Sequence, residues 1–336
     1  MAFSSSRCRQ QTYFLATIAE MTAQGGSQYT PVIGRQSTTF PATRACSMPH
    51  RAYPRHLRLA PAGLIIGVMA KASWQLRIQR AEELTSQRPF AAEILGFYVQ
   101  LARFQEGLYQ RLENASQSKT EIALQGRVSG PPELRELVSS FGMFLSVVEV
   151  SGPARLAEMA RDLRHRGDEA WSNCLDTCWS GTQTSPAAPQ EFLGRAFLQP
   201  YAEFVRSRIV MQWNGYTYSL CPFCNRKPGL GILRQMKDSA RRSLMCSFCA
   251  AEWEFRRIVC AGCGEEDNRK LPVYVAAEFD YVRVECCDTC KKYIKTVDLT
   301  KNGLAEPVVD EIASAPLDLW AQEHGYSKLE LNVVGM

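Results

Sequence analysis

No histidine occurs between residues 221 and 300, a stretch that holds nine of the chain's 13 cysteines. A metal bound there must be held by sulfur alone, a donor set that suits Zn(II) or Fe(II)/Fe(III) and is ill matched to Mg(II) or Ca(II). Long apolar runs are missing too. The one of note, "LAPAGLIIGVMA" from Leu59 to Ala70, falls short of the ~20 residues that a membrane span needs. Arg58 in front of it gives a faint likeness to a signal-peptide core, but it lies some 58 residues into the chain, the wrong place for one. The signatures of common catalytic sites are absent: there is no G-x-S-x-G, no P-loop and no H-E-x-x-H. Nothing in the chain points to an enzyme.

Acidic residues nearly vanish from the first 70 positions, which contain seven Arg, no Lys and the single acid Glu20. That segment alone carries +6, so a chain with a formal total of +5 has a body near −1. Bulk charge therefore gives no support for a nucleic-acid partner. Residues 1–70, rich in Ser, Thr, Arg and Pro, read as a disordered extension or as a mis-assigned start ahead of Met69. The 336 residues, 46% hydrophobic and 22% charged, are enough for a soluble protein of two or three domains.

From Trp74 to about Trp179 the periodicity is helical. Phe90, Ile94, Phe97, Tyr98, Leu101, Phe104, Leu108 and Leu112 recur at steps of three and four, predicting one long amphipathic helix with Pro89 in its first turn. Shorter helical patterns follow in "PPELRELVSSFGMFLSVVEV", "PARLAEMARDLRHRG" and "QEFLGRAFLQPYAEFVRSR". His165 falls in a charged, solvated stretch. Cys174 and Cys178, one helical turn apart between Trp171 and Trp179, read as buried thiols more readily than as ligands. "LPVYVAAEF" and "YVRVECC" alternate like strands. After Thr300 a helical pattern returns, interrupted by Pro316 and stopped by Gly325.

Four C-x2-C pairs punctuate the middle: Cys221 with Cys224, Cys246 with Cys249, Cys260 with Cys263, and Cys287 with Cys290. Two intervening residues let a tight turn aim both sulfurs at one point, and two such turns close a tetrahedral site. The gaps between the pairs are 21, 10 and 23 residues. A gap of about 20 is the two-hairpin length of a zinc ribbon or rubredoxin-like module, so the pairs read as two tandem four-sulfur sites. The residue after each second cysteine often needs positive φ, which Asn225 and Gly264 supply easily and Ala250 and Lys291 do not. Cys286 is an alternative to Cys287 as ligand. Clustering of this kind in a long chain fits metal binding in a reducing compartment, the cytoplasm, better than a disulfide framework.

The expected fold is α+β: a disordered extension or mis-assigned start over 1–70, a helical domain over 71–212, four-cysteine rubredoxin/zinc-ribbon-like modules over 213–258 and 259–300, and a C-terminal helical tail over 301–336. Zinc ribbons commonly bind nucleic acid or a transcription complex. Residues 221–300, however, hold 14 Lys and Arg against 11 Asp and Glu. Eight thiolates with two divalent ions turn that excess of three into about −1, which argues against a phosphate-binding surface. Redox chemistry of the thioredoxin type lacks its βαβ setting. A rigid scaffold for a protein surface remains.

"CPFC", "LMCSFCAAEW" with Trp253, "VCAGCGE", "RVECCDTCKKYIK" with Tyr293 and Lys295, and "EPVVDEIASAPLDLWAQEHGY" together resemble the formate dehydrogenase accessory protein family, FdhE, from about Ser73 to Val334. The resemblance implies a cytoplasmic helical domain followed by two rubredoxin-like modules. It also implies a maturation role toward respiratory formate dehydrogenase, through contact with its catalytic subunit before export. It implies iron, where the residues alone equally allow zinc. The amino-terminal extension and the doubled Cys286-Cys287 depart from the family pattern.

Overall fold

The computed structural model describes residues 33–35, 58–59, 64–116, 132–181, 189–210, 216–236 and 240–336. The reading of residues 1–70 as a disordered extension or mis-assigned start lies largely outside these. Two short strands of that segment are described, β1 (Ile33–Arg35) and β2 (Arg58–Leu59), as is the start of the first helix, α1 (Leu64–Gln87).

Helices build the first half. Along α1, Trp74, Arg77, Ala81 and Leu84 are buried at steps of three and four, the stripe a helix needs to face a core. A 3-10 turn at Pro89–Ala91 then leads into α2 (Ala92–Ser116). Pro89 thus opens a tight turn in front of the long helix, and its ring fixes φ where no N–H is needed. Next come α3 (Pro132–Ser151), α4 (Ala154–His165), α5 (Gly167–Ser180) and α6 (Pro189–Ser207), which runs through Pro200. Phe141, Phe144 and Phe197 meet with ring centroids 4.9–6.0 Å apart at the centre of this layer. His165 is exposed.

The second half is a sheet. A two-residue strand, β3 (Ile209–Val210), pairs with β2. The larger sheet contains β4 (Pro228–Gln235), β5 (Ala240–Cys246), β6 (Glu252–Glu254), β7 (Val273–Ala276), β8 (Val282–Cys287) and β9 (Lys292–Asp298), in the order β1-β7-β8-β9-β4-β5-β6. Hairpin β4/β5 belongs to the first pair of C-x2-C motifs and hairpin β8/β9 to the second. The two hairpins fuse edge to edge because β4 and β9 pair in parallel over Gly231↔Thr296 to Leu233↔Asp298. That approach is close: a Cβ on Gly231 would lie 2.3 Å from Thr296 Oγ1.

The C-terminal helical segment is two short helices, α7 (Pro307–Ala313) and α8 (Ala315–Glu323), where the periodicity suggested one with an interruption. Glu306 caps the first by accepting from the Val309 N–H at 3.0 Å, and Pro316 in the first turn of α8 forces the break. A last strand, β10 (Ser327–Lys328), adds to β9 in parallel. Helices and sheet share one apolar cluster, which runs from Trp74 through Cys221, Cys246 and Cys249 to Met336. Ion pairs tie the first helix to the C-terminal segment: Arg80 grips Asp310 with two bonds of 2.8 and 3.0 Å, and Arg77, which also meets Glu203 on α6 at 2.9 Å, lies 3.7 Å from Glu306. The molecule is therefore α+β, with helical layer and sheet welded by a common core.

Candidate metal centres

Each centre grows from a backbone turn used four times. After Cys221, Cys260 and Cys287 the chain curls so that the N–H four residues on donates to the cysteine carbonyl: Asn225 to Cys221 at 2.9 Å, Gly264 to Cys260 at 3.0 Å, Lys291 to Cys287 at 2.9 Å. Inside the turn, N–H groups point at sulfur, from Phe223 to Cys221 and from Phe248 to Cys246, both at 3.4 Å, and from Gly262 to Cys260 at 3.2 Å. Such donors favour thiolate over thiol. All four turns close with positive φ, at Asn225 (58°), Ala250 (51°), Gly264 (79°) and Lys291 (54°). Ala250 and Lys291 enter this region despite their Cβ atoms, against the expectation from residue type, at about 1–2 kcal/mol each.

The turns bring the sulfurs together in two groups, Cys221, Cys224, Cys246 and Cys249 in the first, and Cys260, Cys263, Cys287 and Cys290 in the second; within each, all four sulfurs lie within 4.8 Å of one another. In the first centre the separations are 3.4 Å for Cys224 to Cys246, 3.6 Å for Cys221 to Cys249 and 3.7 Å for Cys224 to Cys249. In the second, Cys260 to Cys290 and Cys263 to Cys287 are both 3.7 Å. A tetrahedron with metal–sulfur bonds of about 2.3 Å has edges of about 3.8 Å, so the donor sets fit a tetrathiolate ion. Cys286 is buried on the other side of β8, among Val282, Val284 and Tyr293. Alternation along the strand sends Cys287 to the cluster and its neighbour to the apolar core.

Electrostatics points the same way. In the first centre, hydrogen bonds from Cys224, Cys246 and Cys249 pull the Cys221 thiol down; the Cys224 thiol is pushed up by its neighbours Cys221 and Cys246, and the Cys249 thiol is pushed up by burial. Four sulfurs this close hold one negative charge comfortably and resist further ionisation unless a cation joins them. In the second, burial raises Cys260 to about 11. Cys287 falls in spite of burial, because the Cys290 and Thr289 N–H groups donate to it.

The centres differ in setting. Cys221, Cys246 and Cys249 are buried in the shared core, whereas Cys263 is exposed and Cys290 half-buried. Phe248, inside the first centre's second turn, packs edge-on to Trp179 at 6.0 Å and under the Arg226 guanidinium at 4.0 Å. Arg226 in turn donates to the Cys178 carbonyl on α5. The second centre is laced on its outer side, where the Thr289 hydroxyl donates to Glu265 at 2.6 Å and holds that carboxylate at about 2. Asp267 and Glu266 N–H groups also donate to Glu265.

Beneath the second hairpin lies a charged cluster that composition and periodicity did not reveal. Lys295 is 0% exposed and reaches Asp318 at 2.6 Å, Glu311 at 3.1 Å and the Ser314 hydroxyl at 3.2 Å. Lys328 bridges the same two carboxylates, Tyr293 donates to Asp318 at 2.7 Å, and Asn332 donates to Glu311 at 2.7 Å. The signal was present in the sequence: Lys295 shares a strand face with Tyr293 and Val297, and Glu311 and Asp318 stand seven residues apart among apolar neighbours.

Residues 220–257 match a family model described as the FdhE central domain, and residues 258–334 one described as the FdhE C-terminal domain. A curated FdhE homolog from Aquifex aeolicus is 26% identical over 270 residues, spanning 78% of this chain and 95% of that protein. One from Pseudomonas aeruginosa is 28% identical over 281 residues, spanning 77% of this chain and 88% of its own length. One from Haemophilus influenzae is 34% identical over 113 residues, a third of this chain. The crystal structure of the FdhE protein from Pseudomonas aeruginosa shares the fold, with a TM-score of 0.56 at 22% identity over 83% of this chain and 98% of that one. Among the described residues no helix is long and apolar enough to cross a membrane.

Proposed function

For a chain that belongs to the FdhE family, we propose an accessory role in producing active formate dehydrogenase, exercised in the cytoplasm by contact with that enzyme's catalytic subunit. One observation carries the reading: both four-cysteine groups are complete sulfur tetrahedra built into one sheet, and that sheet is fused to a helical layer through a common core. A tetrathiolate ion has no open coordination position for substrate or water. Its contribution is shape, fixing the turns and the hairpins that carry them. Cys221, Cys224, Cys246 and Cys249 would hold one ion, and Cys260, Cys263, Cys287 and Cys290 the other, with iron or zinc equally suited by the donors. The combined surface of sheet and helices then reads the state of the client.

The test pairs binding with metal content. Full-length protein should capture the formate dehydrogenase catalytic subunit in a pull-down, and should leave duplex DNA unshifted in a gel at low salt. Cys246→Ser and Cys263→Ser should each lose one ion, and Cys246→Ser should lose capture with it. Full client activation by a variant that has no bound metal overturns the scaffold role, and a shifted gel without capture favours the nucleic-acid reading. An anaerobic absorption spectrum separates the metals, because ferric thiolate is coloured and zinc is silent.

A further inference from the structure

Cys174 and Cys178 lie outside both metal groups, yet their surroundings are more specific than packing requires. They stand four apart on α5, hence on one face, and both sulfurs point at the same residue of α6, Gly194. A Cβ there would lie 2.5 Å from Cys178 Sγ and 3.1 Å from Cys174 Sγ. Interaction with Cys178 and with the Gly194 N–H lowers the proton affinity of Cys174, while the Cys178 thiol is pushed up by the same partner. Cys178 is buried at 2% exposure and its sulfur also lies 3.4 Å from the Glu191 carbonyl. Cys174 is only half-buried. A half-buried cysteine whose proton affinity is lowered, beside a buried one that retains its proton, is the arrangement of an attacking and a resolving cysteine.

The pair is also tied to the first metal centre. The Cys178 carbonyl accepts from Arg226, two residues beyond Cys224, and the same guanidinium covers Phe248, whose N–H donates to Cys246 Sγ. Residues four apart on a helix have Cβ atoms about 5–6 Å apart, whereas a disulfide needs about 3.5–4.5 Å. Closing the pair must therefore draw in the last turn of α5, which ends at Ser180 before the left-handed Gly181, and shift the carbonyl that Arg226 holds.

We propose that Cys174 and Cys178 form an oxidisable dithiol whose closure to a disulfide loosens the first metal centre through Arg226. With a peroxide as oxidant, the Cys174 thiolate attacks one oxygen, the O–O bond breaks, and the departing oxygen takes a proton as water or an alcohol. Cys178 then attacks the sulfenic sulfur of Cys174; the S–S bond forms, the S–O bond breaks, and hydroxide leaves with the Cys178 proton as water. Two electrons pass from the two sulfurs to the peroxide, and a small dithiol reverses the change.

Metal-loaded full-length protein treated with one equivalent of hydrogen peroxide, then alkylated, reports the order of events by peptide mass. The expected result is joint loss of alkylation at Cys174 and Cys178, with two hydrogens missing and recovery in dithiothreitol, before any of the eight clustered cysteines is oxidised. In Cys178→Ser the reaction should stop at a Cys174 sulfenic acid that dimedone traps. Chelator-driven metal release from the oxidised protein should quicken several-fold, and the same treatment of Cys174→Ser should leave the rate unchanged. Oxidation of the clustered cysteines ahead of this pair overturns the dithiol, and a closed disulfide with an unaltered release rate overturns its coupling to the metal. The wild-type trapping order needs no variant to fold.

Discussion

Removing one sulfur from each centre should have unequal consequences, and Cys249→Ser against Cys263→Ser is the sharpest contrast. Cys249 is 0% exposed and belongs to the cluster that also contains Phe197, Tyr201 and Phe248. Without its ion the first centre keeps three crowded sulfurs, two of them buried, that cannot all ionise, and its turns lose what holds them. A structural zinc contributes roughly 10–16 kcal/mol to the folding of a small module, while an entire domain has a margin of about 5–15 kcal/mol. The loss is comparable with the whole reserve, and because the core is shared it spreads to α5 and α6 through Trp179 against Phe248 and Tyr201. At the exposed Cys263 position, solvent reaches the remaining sulfurs when serine replaces cysteine, so the second ion is lost without unpacking the core. Metal stoichiometry with far-ultraviolet circular dichroism through a thermal melt should show Cys249→Ser losing one ion and a large part of its cooperative helical transition. Cys263→Ser should keep the first ion and a near-native helical signal. The reverse pattern, helices lost in Cys263→Ser and intact in Cys249→Ser, would refute the argument that the first centre is part of the core.

Three further outcomes follow from packing and charge. Lys295→Met leaves Asp318 and Glu311 with one lysine between them inside the protein, and breaking a buried pair costs about 3–5 kcal/mol, which denaturant unfolding would register. Gly231→Ala should cost about 1–3 kcal/mol by forcing Thr296 away where β4 and β9 pair, seen as a lowered Tm with the metal content unchanged. Burial pushes Glu311 up, but Lys295 and Lys328 outweigh it and hold the carboxyl at about 2. A depressed carboxylate stabilises the fold above its unfolded value of about 4.5 and loses that stability as pH falls from about 4.5 toward 2. The contribution is on the order of 3 kcal/mol, and acid titration of Glu311→Gln beside the parent should show a shallower loss in that window.

How much of this was readable beforehand divides along physical lines. Period-3.6 patterning places the helices because an amphipathic stripe is a local property, and the apolar residues of "PFAAEILGFYVQLARF" do pack in the core or against it. C-x2-C spacing places the sulfurs because a turn of fixed size aims them. What local patterning misses is what distant partners decide. The parallel pairing of β4 with β9 joins residues more than 60 apart, and nothing in "GLGILRQ" specifies a parallel neighbour. Asp310, Glu311 and Asp318 sit on helices whose local pattern names no partner for a buried carboxylate, yet Arg80, Lys295 and Lys328 from other elements let them stay buried. Nor does the sequence around Gly194 show that the sulfurs of α5 lie against it. That the Cys287 sulfur, and not that of Cys286, lies with the other three needed only the strand's alternation, once β8 had been anchored by its register with β9.

The turn after Cys249 tests whether the ion or the local sequence holds these knuckles. Ala250 has φ 51° where the corresponding position of the next turn is Gly264. Left-handed backbone costs an alanine about 1–2 kcal/mol, and glycine there gives back about 0.4–1 kcal/mol through its freer unfolded chain. Ala250→Gly should therefore gain roughly 0.5–1 kcal/mol, or about 2- to 5-fold tighter metal retention in chelator competition. Asn225→Ala, in the partner turn, should move the same measurement the other way, since asparagine tolerates this conformation and alanine does not. Equal retention in both variants would mean that turn geometry is set before the ion arrives. Opposite shifts would mean that four sulfurs closing on an ion impose a backbone the sequence alone disfavours, and that the strain at Ala250 and Lys291 is carried by the metal.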